Sequence, residues 1–185
     1  GKHKTDVTEI MEAMIESVEI EIDYKKYTAT DSETLTLRPY AVKEFAKRWY
    51  LIAYCVEREG LRVYGLDRVR KLNVSGKGFK MPKEFDVDEL FATSFGIYLP
   101  EGKAEVIKYR VSEKEAQFLR DLPLHRSQEE VERKDGLVTF SIFACPDKNM
   151  IMEFCKYAGR VEVLSPASVR NAVAEQLQKA VEQYS

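Results

Sequence analysis

The spacing of apolar residues changes within the first half of the chain. Apolar side chains recur at three- and four-residue steps over residues 6–18, which predicts an amphipathic helix. Val18, Ile20, Ile22 and Tyr24 then alternate with acidic residues, which predicts a strand with one buried face. The same reasoning predicts further strands over residues 34–40, 48–56, 61–66 and 68–74. Short strands at such close spacing are typical of a small, highly twisted β-barrel.

The second half has a different order of predicted elements: strand, helix, two strands, helix, strand and a last helix. Ser112 and Glu115 form a capping box at the start of its first helix. Asp135-Gly136 is a strong signal for a tight turn between the two middle strands. This order predicts a ferredoxin-like βαββαβ domain with an extra C-terminal helix, so the fold class is α+β.

The net charge of −2 hides an uneven distribution along the chain. Lys, Arg, Asp and Glu give −5 over residues 1–23, +7 over residues 24–80 and −4 over residues 81–185. A basic segment favours anionic partners. A solvated surface of Lys and Arg with no partner would give the same count, so charge alone does not decide between the two.

Composition and spacing also argue against several classes of protein. Two distant histidines and three cysteines without CxxC spacing do not make a metal site, and no HExxH motif or P-loop occurs. We therefore expect no catalysis, no metal and no cofactor. The longest apolar runs are too short to cross a bilayer, so we expect no membrane contact. The cysteines are interpreted as reduced, buried thiols of a cytoplasmic protein.

Four short motifs together carry a family resemblance. They are Arg38-Pro39-Tyr40, Trp49-Tyr50-Leu51, Arg62-Val63-Tyr64-Gly65-Leu66-Asp67-Arg68 and the strand-to-helix passage Gly159–Pro166. The first three, in this order within residues 18–74, resemble the WYL domain, which is named for the tripeptide. The fourth resembles the C-terminal extension that often follows WYL domains.

The resemblance implies an Sm-like small β-barrel followed by a ferredoxin-like extension. It places a linker helix over residues 1–17, the WYL barrel over residues 18–80, a connector over residues 81–103 and the extension over residues 104–185. In this family a winged helix-turn-helix usually precedes the barrel. No such pattern precedes the linker helix, so we expect the DNA-binding domain to be missing from this chain.

The resemblance further implies a function: the ligand-sensing effector portion of a bacterial transcription regulator. The expected ligand is a short single-stranded DNA or RNA, or a nucleotide, and duplex DNA would bind only through the missing domain. Such a ligand needs cations for its phosphates and flat side chains for its bases. The candidate ligand-binding residues are Tyr24, Arg38, Tyr50, Tyr54, Arg62 and Arg68.

Several of these residues have structural alternatives. Trp49 shares a strand face with Leu51, and we expect that face to be core. Tyr50 and Tyr54 share the other face, which is either an accessible platform or a second packed side. Arg68 can also be explained as a surface ion pair with its neighbour Asp67.

Two positions are interpreted from the family pattern. Tyr64 stands where the family carries a large aromatic residue, so we expect it in the core rather than at the ligand. Gly65 stands where the family often has a second arginine. Its presence removes one candidate phosphate contact and leaves the ligand preference open.

Two other functions compete with nucleotide sensing. The apolar stripe of the terminal helix, from Pro166 to Tyr184, is typical of subunit interfaces, so we expect a homodimer. The whole chain could therefore be a dimerisation or protein-interaction module that binds no nucleotide. The third possibility is a nucleotide hydrolase, for which the sequence offers no recognisable constellation of residues.

Overall fold

The chain folds into two compact units, one up to residue 89 and one from residue 90 onward. The computed structural model describes residues 2–26 and 30–185. Each unit is an antiparallel sheet with helices, which confirms the predicted α+β class. No helix in the described part of the chain is long and apolar enough to cross a membrane.

The first unit is a five-stranded antiparallel sheet in the order β4-β3-β2-β1-β5. Its elements are α1 (Lys2–Glu16), β1 (Val18–Tyr24), β2 (Glu33–Phe45), β3 (Arg48–Cys55), β4 (Gly60–Gly65), a 3-10 turn (Leu66–Arg68) and β5 (Val69–Gly78). The two edge strands, β4 and β5, are joined in sequence by the 3-10 turn but are not paired with each other. The small barrel predicted from strand spacing is therefore an open sheet.

One face of this sheet, called the inner face, carries the core of the first unit. Leu37, Leu51 and Cys55 are fully buried there, and their neighbours alternate toward the other face. Helix α1 packs on the inner face through Ile10 and Ala13. The alternation seen in the sequence thus separates core from surface, because successive strand side chains point to opposite faces.

The opposite, outer face is partly covered by the segment that follows β5. The ring of Tyr40 lies 5.9 Å from that of Phe79 and 5.0 Å from that of Phe85, between centroids. The strand register shifts at Tyr40, between Pro39 and Ala41. Such a bulge accommodates a proline inside a long strand. The outer face of β2 is therefore not simply exposed to solvent.

A short helix, α2 (Val87–Leu90), lies at the boundary between the two units. The second unit has the order β7-β8-β6-β9 in its sheet, which is the ferredoxin-like order predicted from the sequence. Its elements are β6 (Glu105–Ser112), α3 (Glu113–Asp121), β7 (Glu129–Lys134), β8 (Leu137–Ala144), α4 (Lys148–Tyr157), β9 (Val161–Ser165) and α5 (Ala167–Glu182).

Local signals in the second unit act as predicted. The side chain of Ser112 accepts a hydrogen bond of 3.2 Å from the backbone N–H of Glu115 and so caps α3. Asp135 and Gly136 both have positive φ, as a tight hairpin turn requires. In the terminal helix α5, Val169 and Val173 are buried and Leu177 is partly buried, while Val181 and Tyr184 at the distal end are exposed.

Candidate functional site

A groove of about 450 Å³ on the first unit gathers four cationic side chains. We call it the cationic groove. It is lined by Tyr24, Lys26, Arg58, Arg62, Val63, Tyr64 and Arg68. Three of the six predicted ligand residues, Tyr24, Arg62 and Arg68, therefore lie together.

The aromatic floor of the groove is held rigidly by the sheet. The rings of Tyr24 and Tyr64 meet edge to face, with their centroids 5.1 Å apart. The hydroxyl of Tyr24 accepts a hydrogen bond of 3.1 Å from the backbone N–H of Gly65. Both tyrosines are buried and belong to the core of the unit, as expected for Tyr64. Because their ring faces are covered, neither offers a platform on which a base could stack.

The cations of the groove differ in how far they are neutralised. Arg58 donates to both carboxylate oxygens of Glu33, at 2.6 and 2.7 Å. This pairing with Glu33 raises the pKa of Arg58 above its ordinary value. Arg62 is exposed and donates to the carbonyl of Leu61, and within the described residues neither it nor Lys26 forms a salt bridge. Arg62 and Lys26 are thus available to an anion.

Tyr64 carries a buried hydroxyl beside the thiol of Cys55, which is a weak hydrogen-bonding group. The residue is 2% exposed, and apart from this thiol its hydroxyl has no hydrogen-bond partner among the described residues. Burial raises the pKa of Tyr64 above its ordinary value, and the Cys55 thiol raises it further. The hydroxyl is therefore enclosed beneath the groove and is not exposed to a ligand.

The other three predicted ligand residues lie on the outer face. Arg38 stands opposite Tyr54 in the register of β2 and β3, and its guanidinium carbon is 5.3 Å from the centre of the Tyr54 ring. Its Nε donates to a carboxylate oxygen of Glu19 at 2.9 Å, and Glu19 is 4% exposed. Tyr50 stands opposite Gly65, on the same outer face. The six residues therefore do not form one groove.

Sequence reasoning missed two lining residues, Lys26 and Arg58. Arg58 lies in the turn between β3 and β4, and Lys26 follows the end of β1. Outside a strand the two-residue period no longer tells which face a side chain takes. Only their position next to a predicted ligand strand could have suggested them.

The expectation that Trp49 belongs to the core is wrong. Leu51 is fully buried, as expected, but Trp49 is 47% exposed at the beginning of β3. Asp67, considered as a partner of Arg68, forms its ion pair with Arg48. Trp49 and this ion pair line a separate small pocket.

Gly65, where a second arginine was considered from the family pattern, is closely packed. It is buried, and a Cβ atom placed on it would lie 2.9 Å from Oδ1 of Asp67 and 3.8 Å from a ring carbon of Tyr50. A larger residue would therefore require the Asp67 side chain to move.

The histidine and cysteine side chains of the described residues form no metal centre. Within that part of the chain, no three His, Cys, Asp or Glu side chains lie close enough to share an ion. His125 is buried, with Nε2 2.9 Å from the carbonyl oxygen of Ser94, and burial lowers the pKa of its imidazole. Cys55 and Cys145 are buried free thiols, and Cys155 is half-buried.

Comparison with known families matches two domains to this chain. The WYL domain matches residues 6–74, and the WCX domain matches residues 103–181. No curated protein matches.

The chain is also similar to proteins of known structure. Proteasome accessory factor B/C (PafBC) of Arthrobacter aurescens is 20% identical, with a TM-score of 0.45 over 96% of this chain and 27% of that one. A CRISPR Cas-related protein is 14% identical, with a TM-score of 0.57 over 99% of this chain and 52% of that one. At 14% identity, the likeness to the CRISPR Cas-related protein concerns the fold alone. The chain spans about a quarter and about half of the lengths of these two proteins.

Replacing Arg38 with alanine should destabilise the first unit. The substitution leaves the buried carboxylate of Glu19 without its cation, and an unpaired buried charge is costly. Because Arg38 is itself partly exposed, we expect a loss of about 2 kcal/mol in the free energy of unfolding, measured by urea denaturation. The double variant Glu19→Gln, Arg38→Gln should recover most of it. An Arg38→Ala protein as stable as the wild type would contradict the pairing.

Replacing Tyr64 with phenylalanine should leave stability unchanged or raise it by up to about 1 kcal/mol, because a buried hydroxyl without a partner costs free energy. Tyr109→Phe is the matched control, since Tyr109 is also buried but donates to Gln128. That variant should lose about 1 kcal/mol. Thermal and urea unfolding of both proteins measure the difference. Equal losses in the two variants would show that the Tyr64 hydroxyl is satisfied within the protein.

Proposed function

The chain belongs to the family of WYL-domain proteins, and from this premise we propose that it is the ligand-sensing effector part of a transcription regulator whose cationic groove binds a single-stranded nucleic acid or a nucleotide. The succession of a WYL domain and a WCX domain supports the regulatory role. The observation that supports an anionic ligand is that one groove holds two cations, Lys26 and Arg62, that form no salt bridge with any residue the structure describes.

The groove suits a phosphate group better than a neutral ligand. Arg62 brings a planar fork of donors that matches phosphate oxygens, and Lys26 adds a point charge. A volume of about 450 Å³ lies within the usual range for small-ligand sites, about 300–1,000 Å³. The expected occupant is therefore one phosphodiester unit or the phosphates of a nucleotide.

The groove would transmit ligand binding through a change in population. A ligand can shift an equilibrium between two arrangements only if it binds one of them better. If the ligand changes the affinity of the regulator for DNA by some factor, linkage requires that DNA change the affinity for the ligand by the same factor. In this proposal that domain lies elsewhere in the full regulator.

Self-association is a second candidate function, favoured by the exposed end of α5. Val181 and Tyr184 are exposed there, beyond the buried Val169 and Val173. Exposed apolar residues on a regular helix face are typical of subunit interfaces. Light scattering over a range of protein concentrations tests this candidate. It also shows whether a nucleotide changes the mass, and a mass that stays monomeric throughout would reject it.

Titration of the protein with a labelled single-stranded oligonucleotide tests the proposed ligand. Binding should weaken as salt rises, because phosphate binding releases counterions. Arg62→Ala should weaken binding roughly tenfold and reduce the slope of log K against log salt by about 0.7 for each phosphate that the variant no longer neutralises. Fluorescence anisotropy at several salt concentrations measures both quantities.

Two control variants sharpen this titration. Arg126→Ala removes an exposed arginine of the second unit and should leave binding unchanged. Tyr64→Phe should leave both the affinity and the salt slope as they are, because it removes a buried hydroxyl and no charge. If the wild-type protein does not bind at low salt, or if Arg62→Ala binds as well as the wild type, the cationic groove is not the nucleotide site.

A further inference from the structure

A second, smaller pocket lies on the first unit beside the exposed tryptophan. Its volume is about 230 Å³, and we call it the Trp49 pocket. It is lined by Val7, Lys47, Arg48, Trp49, Leu66 and Asp67. It shares no lining residue with the cationic groove.

The exposure of Trp49 has a positional cause. The indole takes the inner face with Leu51, but it stands near the start of β3, away from the part of the face that Ile10 and Ala13 cover. Val7 of α1 and Leu66 of the 3-10 turn form apolar walls around it. The exposed part of the indole is therefore accessible to a ligand. The walls leave the indole in a slot that suits a flat ring.

The polar side of the slot is Asp67. One carboxylate oxygen pairs with Arg48. The other, Oδ1, is buried and accepts no hydrogen bond from any residue that the structure describes. The Asp67 side chain is nevertheless 40% exposed as a whole, so a ligand in the pocket that brings an N–H group can approach its carboxylate.

The Trp49 pocket and the cationic groove are connected through three consecutive residues. The 3-10 turn contributes Leu66 and Asp67 to the pocket and the next residue, Arg68, to the groove. Gly65, which precedes the turn, donates to the Tyr24 hydroxyl of the groove and lies against Oδ1 of Asp67. The same turn therefore contributes to the lining of both pockets.

From these observations we propose that the Trp49 pocket receives a nucleobase. The base stacks on the indole of Trp49, and its exocyclic amino group donates to the carboxylate of Asp67. Carboxylates accept from the amino group of cytosine or adenine, whereas uracil and hypoxanthine present a carbonyl at the same position. The inference rests on the proposed function, since the phosphates of the same ligand occupy the cationic groove. It supplies the stacking surface that the buried tyrosines of the groove cannot offer.

Trp49 is the only tryptophan in the sequence, so its fluorescence reports on the pocket directly. Cytidine and adenosine carry no phosphate and should quench its emission with a saturating curve. Uridine and inosine, which differ from them mainly by a carbonyl in place of the amino group, should quench at several-fold higher concentration. Inorganic tripolyphosphate should leave the emission unchanged while displacing a labelled oligonucleotide from the groove. A free tryptophan derivative, titrated in parallel, corrects for collisional quenching and absorbance.

Variants test the two contacts separately. Trp49→Ala should weaken oligonucleotide binding roughly tenfold, the usual size of a base–aromatic stacking contact, and Trp49→Phe should restore most of it. A strand of the same length without bases should bind the wild type and Trp49→Ala equally. Asp67→Asn should remove the preference for cytosine over uracil, read from the affinities of oligonucleotides of each base.

The outcomes separate this inference from the proposed function. Nucleosides that quench Trp49 no more than the free derivative, or a Trp49→Ala protein that binds oligonucleotides as tightly as the wild type, would overturn the nucleobase site. In that case wild-type binding that depends on Arg62 would leave the proposed function intact. If neither oligonucleotides nor tripolyphosphate bind, the cationic groove fails as well.

Discussion

The packing of α1 on one face of a five-stranded sheet is the interaction on which the rest of the first unit depends. Ile10 and Ala13 bury the middle of the inner face, so side chains there must be apolar and close-packed. The same pleat also places Arg62 and Trp49 on the inner face, near its margins, where the cover ends. Polar and aromatic groups remain accessible only at these margins. Both candidate ligand sites are therefore consequences of how far one helix reaches across one sheet.

Part of the basic charge of residues 24–80 is neutralised by internal ion pairs. Arg38, Arg48 and Arg58 each face a carboxylate, from Glu19, Asp67 and Glu33 respectively. Glu19 belongs to the acidic N-terminal segment, so the charge asymmetry along the sequence is partly cancelled by folding. Arg62 and Lys26 differ from these three arginines, because neither forms a salt bridge within the described residues.

The two pockets of the first unit are chemically complementary. The cationic groove has donors but covered rings, and the Trp49 pocket has an exposed ring and an acceptor. A nucleotide is an anion joined to a flat base with donors at its edge, so its two halves match the two pockets. A 3-10 turn of three residues contributes to both pockets. In the proposed mode of binding, a nucleotide would therefore contact this turn on both sides.

The sequence by itself determined the local and the periodic features of this protein. The two-residue period predicted the strands, the turn and capping residues set the ends of elements in the second unit, and the order of elements predicted the ferredoxin-like sheet. It also placed Trp49 correctly on the face of Leu51. Only the tertiary structure decided that this face is uncovered at Trp49, that Arg38 and Tyr54 lie opposite the groove of Arg62, and that the sheet stays open. The alternation of side chains along a strand depends on neighbouring residues only. The packing of a helix over a strand, the choice of ion-pair partners and the closure of a sheet depend on contacts between residues far apart in the chain.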